Sequence, residues 1–369
     1  MRIVLTGGGT GGHIFPLQAI ARKLKKKYPQ VELYFVGPSS NLIKKIVAEE
    51  NIKAYYISSG KIRRYFSWLN FLDIFRFLWG LLEAQIILLK IMPDVIFSKG
   101  GYGAVPVVLI GWVYRIPILS HESDAIPGLS NRILGKFSRY IAVSYPLAKK
   151  YFREKKTLIT GNPIRQEILQ ATKEEAYQYF NFNDTKPIIL VLGGSQGAQI
   201  INSVIVKILP QLINRFQIIH QTGSNNLETV KQQVAHQGIK IGRDKQYWIK
   251  GFLNAHEMAM ALSLADLVIS RAGANAISEI AAWKKVTILI PLMSSANNHQ
   301  RMNAYSLAKV GGALVLEENN LGEHILMRKI EKLLNDLELR DRMKRNIATF
   351  YHPDASDKII EGIRALIEI

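Results

Sequence analysis

The chain has 369 residues, 48% hydrophobic and 21% charged; this balance excludes a disordered or fibrous protein, and the length exceeds what one hydrophobic core usually serves, so two domains are expected. Lys and Arg number 48 against 29 Asp and Glu, a net charge of +19, which asks for an anionic partner: nucleic acid, anionic lipid or phosphorylated small molecules. The absence of cysteine excludes disulfides, Cys-ligated zinc and a thiol nucleophile.

The chain opens on Met1-Arg2-Ile3-Val4-Leu5 and runs straight into glycines, so no signal peptide is expected and the protein should stay in the cytoplasm. Short apolar runs then alternate with helical patterns. Ile3 to Leu5, Leu33 to Val36, Val95 to Phe97, Ile118 to Ser120 and Tyr140 to Val143 predict buried parallel strands. A second series follows with Ile188 to Leu192, Gln217 to His220, Leu267 to Ser270, Thr287 to Ile290 and Ala313 to Leu316. Each series begins with a strand that ends in a glycine loop and passes into a helix, at residues 2–13 and 187–198. The pattern predicts an α/β protein of two doubly wound, Rossmann-like halves joined near Gly161-Asn162-Pro163. The expected domains are 1–162 and 163–350, with an amphipathic helix in 351–369 that packs back on the first.

In the first half, Gly7, Gly9 and Gly12 form G-x-G-x-x-G after a strand, which aims backbone N–H groups and a helix N-terminus at a phosphate-sized group. A dinucleotide enzyme also needs an acid at the end of the second strand to hold the ribose. Here that strand ends in Gly37-Pro38, and its counterpart in His220-Gln221, so NAD or FAD chemistry is disfavoured. His13 falls in the first turn of the helix, where it suits a base or hydrogen-bond donor, or else a residue packed on the loop.

Residues 66–92 hold Phe66, Trp68, Leu69, Phe71, Leu72, Phe75, Phe77, Leu78, Trp79, Leu81 and Leu82, preceded by Lys61, Arg63 and Arg64. A transmembrane span needs ~20 mostly apolar residues, and Arg76, Glu83, Gln85 and Lys90 interrupt this one. An interfacial helix with Phe71, Phe75, Leu78 and Trp79 on one face fits better, its basic flank drawn to anionic head groups by ~1 kcal/mol per charge. Part of the helix must also pack on its own sheet. No DNA or RNA module accompanies the positive charge, so nucleic acid is not an expected partner.

In the second half, Ser270 to Ser278 is a run of mostly small residues after a strand, which lets a ligand approach the backbone. Glu279 follows about one turn into the helix, where a carboxylate accepts two ribose hydroxyls or, alternatively, caps the helix. Asn297-Asn298-His299-Gln300 adds amides that suit sugar hydroxyls, or forms an ordinary polar loop.

GGGTGGH at 7–13, GGYGAVP at 100–106, HESDAIPGLSNR at 121–132, GNPIR at 161–165, GGSQGA at 193–198, SRAGANAISEIAA at 270–282 and NNHQRMNA at 297–304 resemble, in order and spacing, the motifs of the MurG family of glycosyltransferases. The resemblance implies a GT-B fold, two Rossmann-like domains facing a cleft. It implies an inverting enzyme that moves GlcNAc from UDP-GlcNAc to the muramyl 4-hydroxyl of lipid I, giving β-1,4-linked lipid II at the anionic cytoplasmic face of the cell membrane, peripherally bound. By motif position it places His13 as the leading base and Glu122 as the reserve, with Thr10, Gly11, Gly12 and Asp124 beside the reacting centre. It places Arg165, Ser195 and Gln196 at the diphosphate or sugar edge, and Leu253 at the uracil through its backbone. Ala274, Asn275, Ala276, Ile277 and Ser278 would line the nucleotide pocket, with Glu279 on the ribose and Gln300 on the GlcNAc hydroxyls. No cofactor is implied. The chain lacks a D-x-D triplet, and metal-independent stabilisation of the leaving diphosphate is expected.

Two positions depart from the family pattern: Asp124 stands where many members have Asn, and Trp283-Lys284-Lys285 lacks the usual Gly. Another GT-B transferase acting on a different lipid, a GT-B-like epimerase and a non-catalytic nucleotide-sugar scaffold remain alternatives.

Overall fold

The computed structural model describes residues 1–60, 68–194, 196–242 and 246–368. The chain divides into two compact units, one of residues 1–164 with 352–369 and the other of residues 165–351.

In the first unit β1 (Arg2–Thr6), β2 (Glu32–Gly37), β3 (Lys53–Tyr56), β4 (Val95–Ser98), β5 (Ile118–Glu122), β6 (Tyr140–Val143) and β7 (Thr157–Ile159) make one parallel sheet in the order β3-β2-β1-β4-β5-β6-β7. Its central strands are continuous apolar runs because both faces are covered. Ile3 and Leu5 point to one face, packed with Ile14, Leu17 and Ile20 of helix Gly11–Lys27 and with Ile359, Ile360 and Ile363 of helix Ala355–Ile367. Val4 points to the other, against Ala84 and Leu88 of helix Trp68–Ile91 and Val107 and Val108 of helix Val105–Val113. The returning C-terminal segment is fitted closely. A Cβ on Gly161, whose φ is +82°, would lie 2.4 Å from that of His352, and Lys23 pairs with Asp357 at 2.5 Å.

The second unit repeats the plan. β8 (Ile188–Leu192), β9 (Gln217–Gln221), β10 (Tyr247–Lys250), β11 (Leu267–Ser270), β12 (Val286–Leu289) and β13 (Leu314–Val315) pair in parallel in the order β10-β9-β8-β11-β12-β13. Ile189 and Val191 enter one core with helix Gln199–Arg215, and Ile188, Leu190 and Leu192 enter the other with helix Ala255–Leu264.

In each unit the strand order reverses direction at the first strand, between β1 and β4 and between β8 and β11. Open α/β sheets bind ligands outside the carboxyl ends of the strands at such a switch point. The loops after β1, β4 and β5, and after β8 and β11, are therefore where chemistry is expected.

Candidate active site

In the first unit the two glycine loops lock together. Gly8 N–H donates to the Gly100 carbonyl at 2.8 Å, and Lys99 N–H to the Thr6 carbonyl at 2.8 Å. A Cβ on Gly101, at φ +84°, would sit 3.0 Å from Gly8 Cα, and one on Gly8 would meet His13 Nδ1 at 2.9 Å. Glycine is required there because the loop backbone passes under the imidazole.

Helix Gly11–Lys27 has no acid in its first turn and three lysines in its last, so its N-terminal dipole is left uncancelled. The Thr10 carbonyl accepts from the amides of His13 and Ile14 at 3.0 and 3.1 Å, and Thr10 Oγ1 and His13 Nδ1 lie 3.0 Å apart. Thr10 and Gly12 are exposed, Gly11 is buried and His13 is half-buried.

Glu122, at the end of β5, is placed differently. It is 3% exposed, and both oxygens are engaged: Oε1 accepts from the Asp124 amide at 2.8 Å and Oε2 from Asn131 Nδ2 at 2.8 Å. Asn131 Oδ1 accepts in turn from the Gly101 amide at 3.1 Å. Burial and the Asp124 carboxylate push Glu122 up to about 7, opposed by Lys99. Asp124 itself is half-buried. Neither Asn131 nor Lys99 stands out in the sequence as a site residue. Asn131 lies within the HESDAIPGLSNR motif, and Lys99 is a lysine directly after the buried strand Val95–Ser98, which is itself a signal of use at a sheet edge.

In the second unit the loop after β8 turns on glycines at φ +77° (Gly194) and +83° (Gly197), and a Cβ on Gly197 would lie 2.5 Å from the Thr222 carbonyl. Gln196 stands exposed on that turn; Ser195 lies outside the described residues, as do Lys61, Arg63, Arg64 and Phe66.

Helix Ala274–Ala282 follows β11, with Gly273 as its N-cap and no side-chain cap. Glu279 sits in its sixth position, beyond reach of the N-terminal amides, so the capping-box alternative does not hold. Glu279 Oε1 is 3.5 Å from Arg165 Nη2, with both side chains buried. Burial raises Glu279, and Arg165 opposes the rise. The structure thus brings together the two residues expected at ribose and diphosphate.

Ala274 and Ile277 are buried, while Asn275 and Ala276 are half-buried, so the first pair can meet a ligand only through backbone. Ser278 is buried and donates to the Ala274 carbonyl at 2.8 Å. The Leu253 amide donates to Gln221 Oε1 at 3.2 Å, so the backbone group it can offer is its carbonyl. Gln300 Oε1 accepts from the Leu292 amide at 3.1 Å, and Asn303 Nδ2 ties helix His299–Lys309 to the Ala272 carbonyl at 3.1 Å. Gln221 and Asn303 are not evident from sequence, since they act on backbone rather than on a ligand.

Helix Trp68–Ile91 has two faces. Ala84, Leu88 and Ile91 are buried, and Gly80 approaches the chain so closely that a Cβ would lie 2.0 Å from the Ser58 carbonyl oxygen. Phe71, Phe75, Leu78 and Trp79 are 61, 56, 51 and 61% exposed. Ile74, Leu82, Ile86 and Leu89 extend the exposed stripe at helical spacing, and Trp112 and Val113 are exposed at the end of helix Val105–Val113. Among the described residues no helix is long and apolar enough to cross a membrane.

Residues 3–143 match the glycosyltransferase family 28 N-terminal domain and residues 188–359 the family 28 C-terminal domain. A UDP-N-acetylglucosamine--N-acetylmuramyl-(pentapeptide) pyrophosphoryl-undecaprenol N-acetylglucosamine transferase of Clostridium perfringens is 39% identical over 100% of this chain and 97% of its own. The transferase of the same name from Clostridium novyi is 38% identical over 98% of each chain. Among solved structures, Acinetobacter baumannii MurG superposes with a TM-score of 0.75 at 24% identity over 99% of both chains. A UDP-GlcNAc 2-epimerase of Neisseria meningitidis superposes at 0.70 with 13% identity, over 99% of this chain and 100% of its own. The two sheets have the GT-B fold that these structures share.

Proposed function

The chain belongs to glycosyltransferase family 28, and from that membership we propose that it transfers GlcNAc from UDP-GlcNAc to the muramyl 4-hydroxyl of lipid I, the step that forms lipid II for peptidoglycan. The observation that carries the reading is full-length identity of 39% to a transferase so named. The switch-point loops of both sheets agree with it in chemistry.

In this reaction the acceptor hydroxyl attacks the anomeric carbon as the bond to UDP breaks, and inversion gives the β-1,4 linkage. The hydroxyl must lose a proton, and the leaving diphosphate must be met by positive charge. His13 suits the role of proton acceptor, being half-buried at a helix start and oriented by Thr10. Glu122 suits it less, because both oxygens already accept from N–H donors. Those two bonds fit it to hold the Asn131–Gly101 bridge rather than to exchange protons with substrate.

For the donor, the Arg165 guanidinium meets the diphosphate and Glu279 accepts from the ribose, each holding the other in place before ligand arrives. Gln196, Ser195 and the glycine turn would meet the diphosphate or sugar edge, the Leu253 carbonyl the uracil, and Gln300 the GlcNAc hydroxyls. Backbone of Ala274, Asn275, Ala276, Ile277 and Ser278 lines the nucleotide. On the acceptor side Thr10, Gly11, Gly12 and Asp124 border the reacting centre.

The acceptor's lipid anchors it in a membrane, and the exposed stripe of helix Trp68–Ile91 gives the protein a way to reach it. Its apolar face inserts peripherally, on the cytoplasmic side, where the net charge of +19 is attracted to anionic lipid.

The test is acceptor dependence. Purified protein with UDP-GlcNAc should release UDP only when a lipid-linked muramyl-pentapeptide is added. Release without acceptor would indicate hydrolysis, conversion of UDP-GlcNAc to its 2-epimer would indicate epimerase chemistry, and nucleotide binding with neither release nor conversion would indicate a scaffold.

A further inference from the structure

Three charged side chains lie near one another at the carboxyl ends of β4 and β5, close enough to act on each other electrostatically, and one of them is a cation. Lys99 follows β4, is 1% exposed, and its Nζ donates to Ser123 Oγ at 3.0 Å. Ser123 lies between Glu122, which is 3% exposed, and half-buried Asp124. Both oxygens of Glu122 accept from N–H donors, the Asp124 amide and Asn131 Nδ2. That pattern suits an ionised carboxylate, since a proton on either oxygen would set an O–H against an N–H. Yet two neighbouring carboxylates, one of them buried, disfavour ionisation.

Lys99 supplies a counter-charge. Burial pushes it down to about 8, and Glu122 and Asp124 both pull it back up. Two other described titratable groups that the cluster influences add no positive charge. His121 is held well below its ordinary value by burial and by Lys99. Burial and Asp124 keep Tyr145 protonated. His13 stands across Gly7, whose added Cβ would lie 3.5 Å from both the Lys99 and the His13 Cβ.

We infer that Lys99 is a positioning residue for the transfer: its buried ammonium lets Glu122 and Asp124 stand together as carboxylates, which keeps Glu122 holding the Asn131–Gly101 bridge beneath His13. The kinetic part of this inference rests on the transferase reading, while the charge coupling does not.

The experiment compares wild type, Lys99→Met, Asp124→Asn and the double variant by kcat/KM over roughly pH 6 to 9, by melting temperature and by UDP affinity. Removing the cation favours the protonated carboxyl, so Lys99→Met should move the acid limb up by about one pH unit and lower kcat/KM at neutral pH about fivefold. UDP affinity should stay within about twofold, because the nucleotide residues lie in the other unit. Adding Asp124→Asn removes one of the two carboxylates and should return the acid limb and the melting temperature towards those of wild type, whatever the substitution does to the absolute rate.

An unmoved acid limb in Lys99→Met, or a limb that does not move back in the double variant, overturns the inference. Should Lys99→Met melt too low to assay, a double variant that regains stability supports the charge coupling, and one that does not overturns it. If wild type transfers no sugar, the transferase reading fails by itself. Melting temperatures still decide the coupling, since effects at 99 and 124 that simply add would contradict it.

Discussion

At the scale of single residues, the division of labour proposed for His13 and Glu122 rests on what their atoms already touch. The His13 ring is half-buried and steadied by one hydroxyl at 3.0 Å, whereas Glu122 is enclosed and doubly hydrogen-bonded. His13→Ala should therefore lower kcat by about 100-fold or more, in the range of a lost general base, with UDP-GlcNAc affinity by calorimetry nearly unchanged. An unchanged kcat would remove His13 from the reaction.

How much of this is legible in the sequence differs by residue. Gly7 to His13 announces itself because glycines after an apolar run have few other uses. The Lys99–Glu122–Asn131–Gly101 network does not, because its members come from loops after β4 and β5 and from helix Leu129–Phe137, brought together only by strand order. For Glu279 the sequence also allows a helix cap, an alternative that falls only once the helix start is placed at Gly273.

At the scale of elements, the buried strands are readable as apolar runs, since both faces of each sheet are covered. β3 and β10 are not. They are edge strands of four residues, KAYY and YWIK, largely half-buried and each carrying a terminal Lys, so their patterns blend into loop.

The helix Ala274–Ala282 shows how a departure from the family pattern is accommodated. Lys284 stands at φ +51°, with its amide on the Ala281 carbonyl and the Lys285 amide on that of Ile280 at 3.0 and 3.3 Å. This is a Schellman ending, which favours Gly at the left-handed position. Lys284→Gly should stabilise the protein by about 1 kcal/mol, the cost of a side chain in that conformation, readable as a rise in the denaturation midpoint. A fall would show that the Lys side chain outweighs the strain.

On helix Trp68–Ile91 the same sequence run serves two faces, one packed through Ala84, Leu88 and Ile91 and one exposed through Phe71, Phe75, Leu78 and Trp79. Burying one large apolar side chain contributes about 1.5–3 kcal/mol when complete. Phe75→Ser together with Trp79→Ser should thus weaken binding to vesicles of anionic phospholipid about tenfold or more while UDP affinity holds. Equal vesicle binding would detach this face from the membrane.

At the scale of the whole molecule, one chain repeats a doubly wound sheet twice, and each repeat places its glycine loops at a switch point. The first unit carries an exposed apolar helix face, which the proposed function assigns to the membrane of the lipid-linked acceptor. The second holds a buried Arg165–Glu279 pair, which the proposed function assigns to the nucleotide. The GT-B fold by itself does not choose between transfer and epimerisation, since a UDP-GlcNAc 2-epimerase shares it with a TM-score of 0.70. The choice rests on where the sugar goes.

The most direct measurement is therefore the fate of labelled GlcNAc when the purified protein is given UDP-GlcNAc and a short-chain lipid-linked muramyl-pentapeptide. The account predicts a β-1,4-linked disaccharide on the lipid, formed mole for mole with released UDP. Label that remains in a free or epimerised sugar, with no disaccharide formed, would contradict it.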